Sequence, residues 1–123
     1  MIEVSKLTKV YGAITAVRDL SFRVAKGEII GFLGPNGAGK STTMRVLTGF
    51  TPPTSGMAKV DGYHIEDNPV EVKRRVGYMP ENVPSYSEMV VKSFLRYVAE
   101  VKRIPRGSVK SEVDRVMERC GLS

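Results

Sequence analysis

The sequence predicts an α/β fold in three consecutive parts: an antiparallel β region, a phosphate loop joining a short buried strand to a helix, and a C-terminal helical subdomain. Three observations predict it. Two loosely alternating apolar stretches open the chain, the octapeptide Gly34-Pro-Asn-Gly-Ala-Gly-Lys-Ser41 follows a short apolar run, and apolar residues recur at spacings of three and four over the last third.

Ile2 to Val10 places Ile2, Val4, Leu7 and Val10 among polar residues, the pattern of a strand with one solvated face, and Tyr11-Gly12 closes it. Ala16 to Val24 repeats the pattern with Leu20, Phe22 and Val24 on one face, and Lys26-Gly27 is the turn. Glu28 to Leu33 is short and almost continuously apolar, the composition of a strand buried on both faces of a parallel sheet. Lys40 to Thr48 opens a helix, and Gly49 to Gly56, punctuated by Pro52, Pro53 and two glycines, is a loop. Met57 to Asp61 is a weak strand ending at Gly62. Asp67-Asn68-Pro69 supplies an N-cap and a proline at the head of a short helix reaching Arg75, and Val76 to Met79 is a further strand stopped by Pro80. Two helices follow. Val91, Phe94, Leu95, Val98 and Val101 share one stripe, Pro105-Arg-Gly107 interrupts it, and Val109, Val113, Val116, Met117 and Cys120 form a second, with Gly121 as a C-terminal stop. Both stripes read as core packing, and Cys120 as a buried structural thiol.

The chain has 123 residues, 41% of them hydrophobic, the size of one modest domain with enough apolar mass for a core. No stretch has the apolar length of a membrane span and the N-terminus lacks a signal-peptide core, so a cytoplasmic polypeptide is expected. A single cysteine rules out an internal disulfide and a multi-cysteine metal site. The net charge of +6 raises the question of nucleic acid or an anionic surface. Its densest group, Lys73-Arg74-Arg75, sits with Glu71 on one short helix, the arrangement of a solvated face. Without an RNA-binding signature or an interleaved aromatic stripe, no nucleic-acid partner is expected.

The chemistry lies in Gly34, Pro35, Asn36, Gly37, Ala38, Gly39, Lys40 and Ser41, with Thr42 next in the helix. They satisfy GxxxxGK[ST]. Gly34, Gly37 and Gly39 let the backbone wrap around an anion and turn successive N–H groups inward. The helix beginning at Lys40 offers N–H groups without internal partners and the positive end of its dipole. Lys40 adds an ammonium for the β- and γ-phosphates, and the Ser41 hydroxyl is placed to ligate a bridging Mg²⁺. His64 matches no motif and reads as structural or exposed.

Together these stretches resemble the ATP-binding subunit of ABC transporters, in register along essentially the whole chain. The resemblance implies a partial sheet like that of the P-loop NTPases, with the β region, phosphate loop and first helix over about residues 1–80 and the start of a helical subdomain over about 81–123. It makes Val10 to Val17 similar to the family's A-loop region, in which Tyr11 would stack on adenine. Leu47 to Phe50 followed by Pro53 to Gly56 matches the segment after the first helix. Val76 to Asn82 corresponds to the Q-loop, with Glu81 where a glutamine is usual; a glutamate there still offers Mg²⁺ a hard oxygen, and its occurrence in branches resembling the ABC-2 type exporters leans the reading towards export. ATP and Mg²⁺ are the implied cofactors. The implied partners are a membrane-domain subunit and a second ATP-binding subunit, with the protein held peripherally at the inner face of the cell membrane.

Hydrolysis also needs a carboxylate at the end of a buried strand and a group to position water. The family's LSGGQ-like signature, its apolar run ending in Asp-Glu and its switch histidine do not occur in these residues. Among the four aspartates, Asp19, Asp61, Asp67 and Asp114, Asp61 comes nearest and fits poorly. The chain is therefore expected to be the N-terminal part of an ABC ATPase, binding nucleotide without turning it over and leaving the loop-bearing strand with an unpaired edge. Two other readings stand beside it: another P-loop NTPase, such as a GTPase, although no NKxD-like motif is present, and a non-catalytic nucleotide-binding or regulatory fragment.

Overall fold

The computed structural model describes residues 1–83 and 86–122, and the chain divides into two compact units, Met1–Met79 and Pro80–Ser123. The first unit holds strands β1 (Ile2–Tyr11) and β2 (Ile14–Val24), helix α1 (Lys40–Leu47), strands β3 (Ser55–Val60) and β4 (Tyr63–His64), and helix α2 (Pro69–Arg75). The second holds helices α3 (Val91–Val101) and α4 (Arg106–Arg119).

The sheet of the first unit is antiparallel throughout, in the order β2-β1-β3-β4. The irregular apolar spacing of β1 has a structural cause. Val4 and Leu7 are both buried although three residues apart, because the register slips between them and Lys6 enters the left-handed region at φ 48°. The amide of Lys6, displaced from the ladder, donates to Ser21 Oγ at 2.8 Å; on the facing strand Asp19, at φ 46°, donates its N–H to Thr8 Oγ1 at 3.0 Å. Hydroxyls on the partner strand thus replace the ladder bonds that the bulge removes.

Val4 and Leu7 of β1, Val46 and Leu47 of α1, Ala58 and Val60 of β3, Ile65, and Val72 of α2 form one buried cluster. Helix α1 is held at its C-terminal end by a turn around Gly49, at φ 75°, in which the N–H groups of Gly49 and Phe50 donate to the carbonyls of Val46 and Arg45. The same pair of hydrogen bonds ends α4, where the N–H groups of Gly121 and Leu122 donate to the carbonyls of Glu118 and Met117. Helix α3 ends identically but with Arg103 in the left-handed position, at φ 57°, its N–H on Glu100 and that of Ile104 on Ala99. Since a side chain in that conformation costs about 1–2 kcal/mol and glycine does not, Arg103→Gly is expected to raise stability by about 0.5–1 kcal/mol, measurable by thermal melting.

On α2 the basic group is a solvated, paired face. Arg75 reaches Glu71 at 2.7 Å and Asp61 at 3.4 Å and lies 4.2 Å from the Tyr63 ring centroid, while Arg74 meets Glu71 at 2.8 Å. The hydrogen bond from Arg75 holds the Glu71 carboxyl below its ordinary value of 4.5. Arg115 does the same to Glu112, and Lys92 to Asp114. A depressed carboxylate stabilises the fold above its unfolded pKa, and that stability is lost as pH falls through the folded value. Melting temperature is therefore expected to hold down to about pH 4.5 and then fall, and Glu71→Gln to flatten that fall.

Several sequence expectations are corrected. Glu28 to Leu33 forms no strand: Ile29 and Leu33 are 96% and 95% exposed, Glu28 closes a turn with Ala25, and Phe32 packs edge-to-face on Phe22 at 5.1 Å. An apolar run becomes a buried strand only where neighbours pair with both its edges, and among the described residues none does. Val76 to Met79 is likewise not a strand, although Val76 packs on the buried cluster. The second strand starts at Ile14 rather than Ala16, and α4 starts at Arg106 with Pro105 as its N-cap, so Gly107 lies inside the helix instead of breaking it. Asn68 is the N-cap of α2 with Pro69 first in the helix, yet its side chain makes no capping bond; Val72 N–H binds the Asn68 carbonyl at 3.1 Å. Cys120 is exposed, not buried, and Val91 and Val101 at the ends of the α3 stripe are exposed as well. His64 falls in β4, an element too short to have left a period in the sequence, opposite Lys59.

Candidate phosphate site

The octapeptide is wound, not extended. Pro35 to Ala38 make a tight turn closed by Ala38 N–H on the Pro35 carbonyl at 3.1 Å, and Gly37 and Gly39 take φ of 85° and 89°. Gly39 is the N-cap of α1. Its glycine identity has a second cause in packing: a Cβ there would lie 2.4 Å from the Ala16 carbonyl oxygen and 3.0 Å from Val17 Cγ2. The end of the loop is thus seated against the backbone of β2.

Lys40 folds back over the turn. Its Nζ donates to the carbonyls of Gly34 at 2.5 Å and Pro35 at 2.8 Å, which places the ammonium across the mouth of the loop. Among the described residues no acceptor is bonded to the N–H groups of Gly37, Gly39, Lys40, Ser41 or Thr42, whereas Thr43 N–H binds the Gly39 carbonyl and begins the helical ladder. No acidic side chain occupies the first turn of α1. Orphan donors, the positive end of a helix dipole and one ammonium converge here with no competing carboxylate, an arrangement that favours a polyanion.

The hydroxyls at the head of α1 divide by role. Thr43 is buried and its Oγ1 donates to the Gly39 carbonyl at 2.8 Å, locking the first turn. Ser41 is exposed, and its hydroxyl is free of any bond among the described residues. Asn36, Gly34, Pro35 and Ala38 lie exposed around the turn.

Tyr11 ends β1, 43% exposed, opposite Ile14. Two residues before it, Lys9 pairs with Val17, beside the Ala16 carbonyl on which Gly39 rests. Two strand residues span about 7 Å, so Tyr11 lies about that far along β1 from the residue paired with Val17. Glu81 is exposed and belongs to the second unit, while Ser41 belongs to the first. No group of three or more His, Cys, Asp or Glu able to hold a metal occurs among the described residues, and Asp61 is engaged by Arg75. Sequence reasoning missed two participants in the geometry, the Ala16–Val17 backbone and Lys9. The first left no signal, and the second is legible only once Lys9 and Tyr11 are known to share a strand face.

A glycine loop wound onto a helix head and braced by an antiparallel sheet is an arrangement of the P-loop type. The sequence profile of the family described as ABC transporter matches residues 17–123, and the chain belongs to that family. It is 36% identical over 122 residues to the Escherichia coli K12 protein named "Probable multidrug ABC transporter ATP-binding protein YbhF", covering 99% of this chain and 21% of that protein. It is 34% identical to the Bacillus subtilis "Linearmycin resistance ATP-binding protein LnrL", covering 100% of this chain and 40% of that one. Among solved structures, one titled "Structure of ATP binding subunit of ABC transporter" superposes with a TM-score of 0.83 at 30% identity, over 98% of this chain and 50% of the other. The ATP-binding cassette MJ0796, solved as a dimer in a post-hydrolysis state bound to ADP and Pi, shares the fold at a TM-score of 0.83 and 20% identity, over 96% of this chain and 55% of its own. The chain thus spans about a fifth to two fifths of these curated relatives and about half of the solved chains. No helix among the described residues is long and apolar enough to cross a membrane.

Proposed function

We infer that this chain carries the nucleotide-binding part of an ABC transporter's ATP-binding subunit, and that residues 34–41 with Thr42 hold the phosphates of ATP. The observation that carries the reading is the coincidence of five unbonded N–H groups with the Lys40 ammonium at the head of α1. The amides of Gly37, Gly39, Lys40, Ser41 and Thr42 take phosphate oxygens, Gly34, Pro35, Asn36 and Ala38 shape the turn, and Lys40 exchanges its two carbonyl contacts for the β- and γ-phosphates. The free hydroxyl of Ser41 fits a hard divalent cation and would give Mg²⁺ one oxygen, leaving the phosphates and water to supply the rest. Tyr11 stacks on adenine; for Glu81 the support is the likeness of Val76 to Asn82 to the family's Q-loop, which makes its carboxylate a candidate Mg²⁺ oxygen in the whole protein.

In the whole protein this site acts with a second ATP-binding subunit and a membrane-domain subunit, at the inner face of the membrane, coupling ATP binding and hydrolysis to transport. The dimeric form of MJ0796 supports the second subunit. The names of the two bacterial relatives, one multidrug and one linearmycin resistance, favour export. Residues 1–123 alone bind nucleotide without turning it over, because none of their aspartates is free at the end of a buried strand. Phosphate release from the purified chain beside a Lys40→Ala control tests this: equal background in both is expected, and Lys40-dependent release would overturn it. Competition between GTP and ATP separates this reading from that of a guanine-specific P-loop protein.

A further inference from the structure

The contacts around Lys9 reach beyond strand pairing. Its Nζ donates to the Pro52 carbonyl at 2.7 Å and stands 5.0 Å from the centroid of the Tyr11 ring. The same stretch of β1 is tied to the loop after α1 at two more points, Thr54 N–H on the Thr8 carbonyl at 2.9 Å and Val10 N–H on Thr54 Oγ1 at 2.9 Å. The ammonium is therefore fixed by a carbonyl whose own loop is fixed to the strand. The Tyr11 ring, half-exposed at the end of β1, is the partner the ammonium can orient.

We propose that Lys9 is a positioning residue for nucleotide binding: its anchored ammonium covers one face of the Tyr11 ring and holds the opposite face open as the platform for the base. A cation over one face of an aromatic ring is attracted by the ring quadrupole and removes the rotamers in which the ring turns away. A base stacking on the other face then meets a pre-ordered surface, and the ordering is not lost from its affinity. The proposal rests on the reading of Tyr11 as the adenine platform. It adds that the platform is built by a cation which does not itself touch the nucleotide.

The test compares Mg-ATP with magnesium inorganic triphosphate, which has the anionic tail and no base, by calorimetry on the full chain. Lys9→Met, which keeps the apolar stem and loses the charge, is expected to weaken Mg-ATP about 3- to 5-fold and to leave the triphosphate unchanged. Lys9→Arg is expected to restore ATP affinity, and Lys9→Met to add nothing in a Tyr11→Ala background. Proton NMR adds a direct signature: ring-current shifts of the Lys9 side-chain methylenes, lost in Tyr11→Ala. Equal weakening of both ligands by Lys9→Met, or of neither while Tyr11→Ala weakens ATP alone, overturns the positioning role. If Tyr11→Ala leaves ATP affinity untouched, the stacking reading itself has failed.

Discussion

Replacing Lys40 by alanine is expected to weaken Mg-ATP binding at least tenfold, and by up to about a hundredfold. Each charge-assisted hydrogen bond is worth about 1.5–3 kcal/mol and each 1.4 kcal/mol is a factor of ten; Lys40 gives up its contacts to Gly34 and Pro35 when it turns to the phosphates, so a net loss of about one such bond spans that range. The substitution also removes the two bonds by which the ammonium closes the turn on Gly34 and Pro35. Fold stability is expected to change little. The loop is held from the other side by Gly39 on the Ala16 backbone and by the Thr43 hydroxyl on the Gly39 carbonyl, neither of which involves Lys40. A calorimetric titration paired with a melting curve separates the two effects. A large fall in melting temperature with unchanged affinity would show that Lys40 is a structural clamp and not a phosphate ligand.

Gly56→Ala is expected to produce the largest loss of stability of any alanine substitution considered, about 3 kcal/mol or more. A Cβ at Gly56 would lie 2.2 Å from the Lys6 carbonyl oxygen, 2.5 Å from its carbon and 2.7 Å from Leu7 Cα, and Gly56 itself sits at φ 85°. All three atoms are backbone in the bulge of β1, so no side chain can swing aside. Relief requires moving β3 from β1 at the point where Leu7 enters the core. Strain and a broken pairing together exceed the penalty of left-handed φ alone, and 3 kcal/mol is a large share of a small domain's total. Gly62→Ala is the control, because Gly62 has similar φ, 82°, and open space around its Cβ. Urea unfolding should show about 1 kcal/mol for the control. Equal losses at both glycines would mean that the close approach at Gly56 carries no weight.

The contrast between these glycines also shows what the sequence could reveal. The phosphate loop was legible because its chemistry is local: glycine spacing, a lysine and a helix head lie within one octapeptide, and the structure winds them as the pattern requires. Strands β1 and β2 are legible from alternation, and the three-residue step from Val4 to Leu7 marks the bulge at Lys6. What failed was relational. Glu28 to Leu33 has strand composition, but pairing belongs to two segments, and no partner lies among the described residues. Strand β4, only two residues long, exists because Tyr63 and His64 turn back onto Val60 and Lys59, which leaves no period to read. Cys120 fits an apolar stripe yet sits one residue past the end of α4, where the helix no longer directs it inward. Within the site, Lys40 and Ser41 were legible from the motif. The seat of Gly39 on Ala16 and the cation beside Tyr11 needed the strand register.

The most direct measurement is an ¹⁵N–¹H NMR titration of the chain with Mg-ATP, following the amides of Gly37, Gly39, Lys40, Ser41 and Thr42. These five, bonded to nothing among the described residues, are expected to shift downfield together as phosphate oxygens accept them, and to shift alike with magnesium triphosphate. Saturating nucleotide that leaves these five amides in place while moving others would contradict the assignment of the site, and a folded chain that takes up no Mg-ATP would contradict the function.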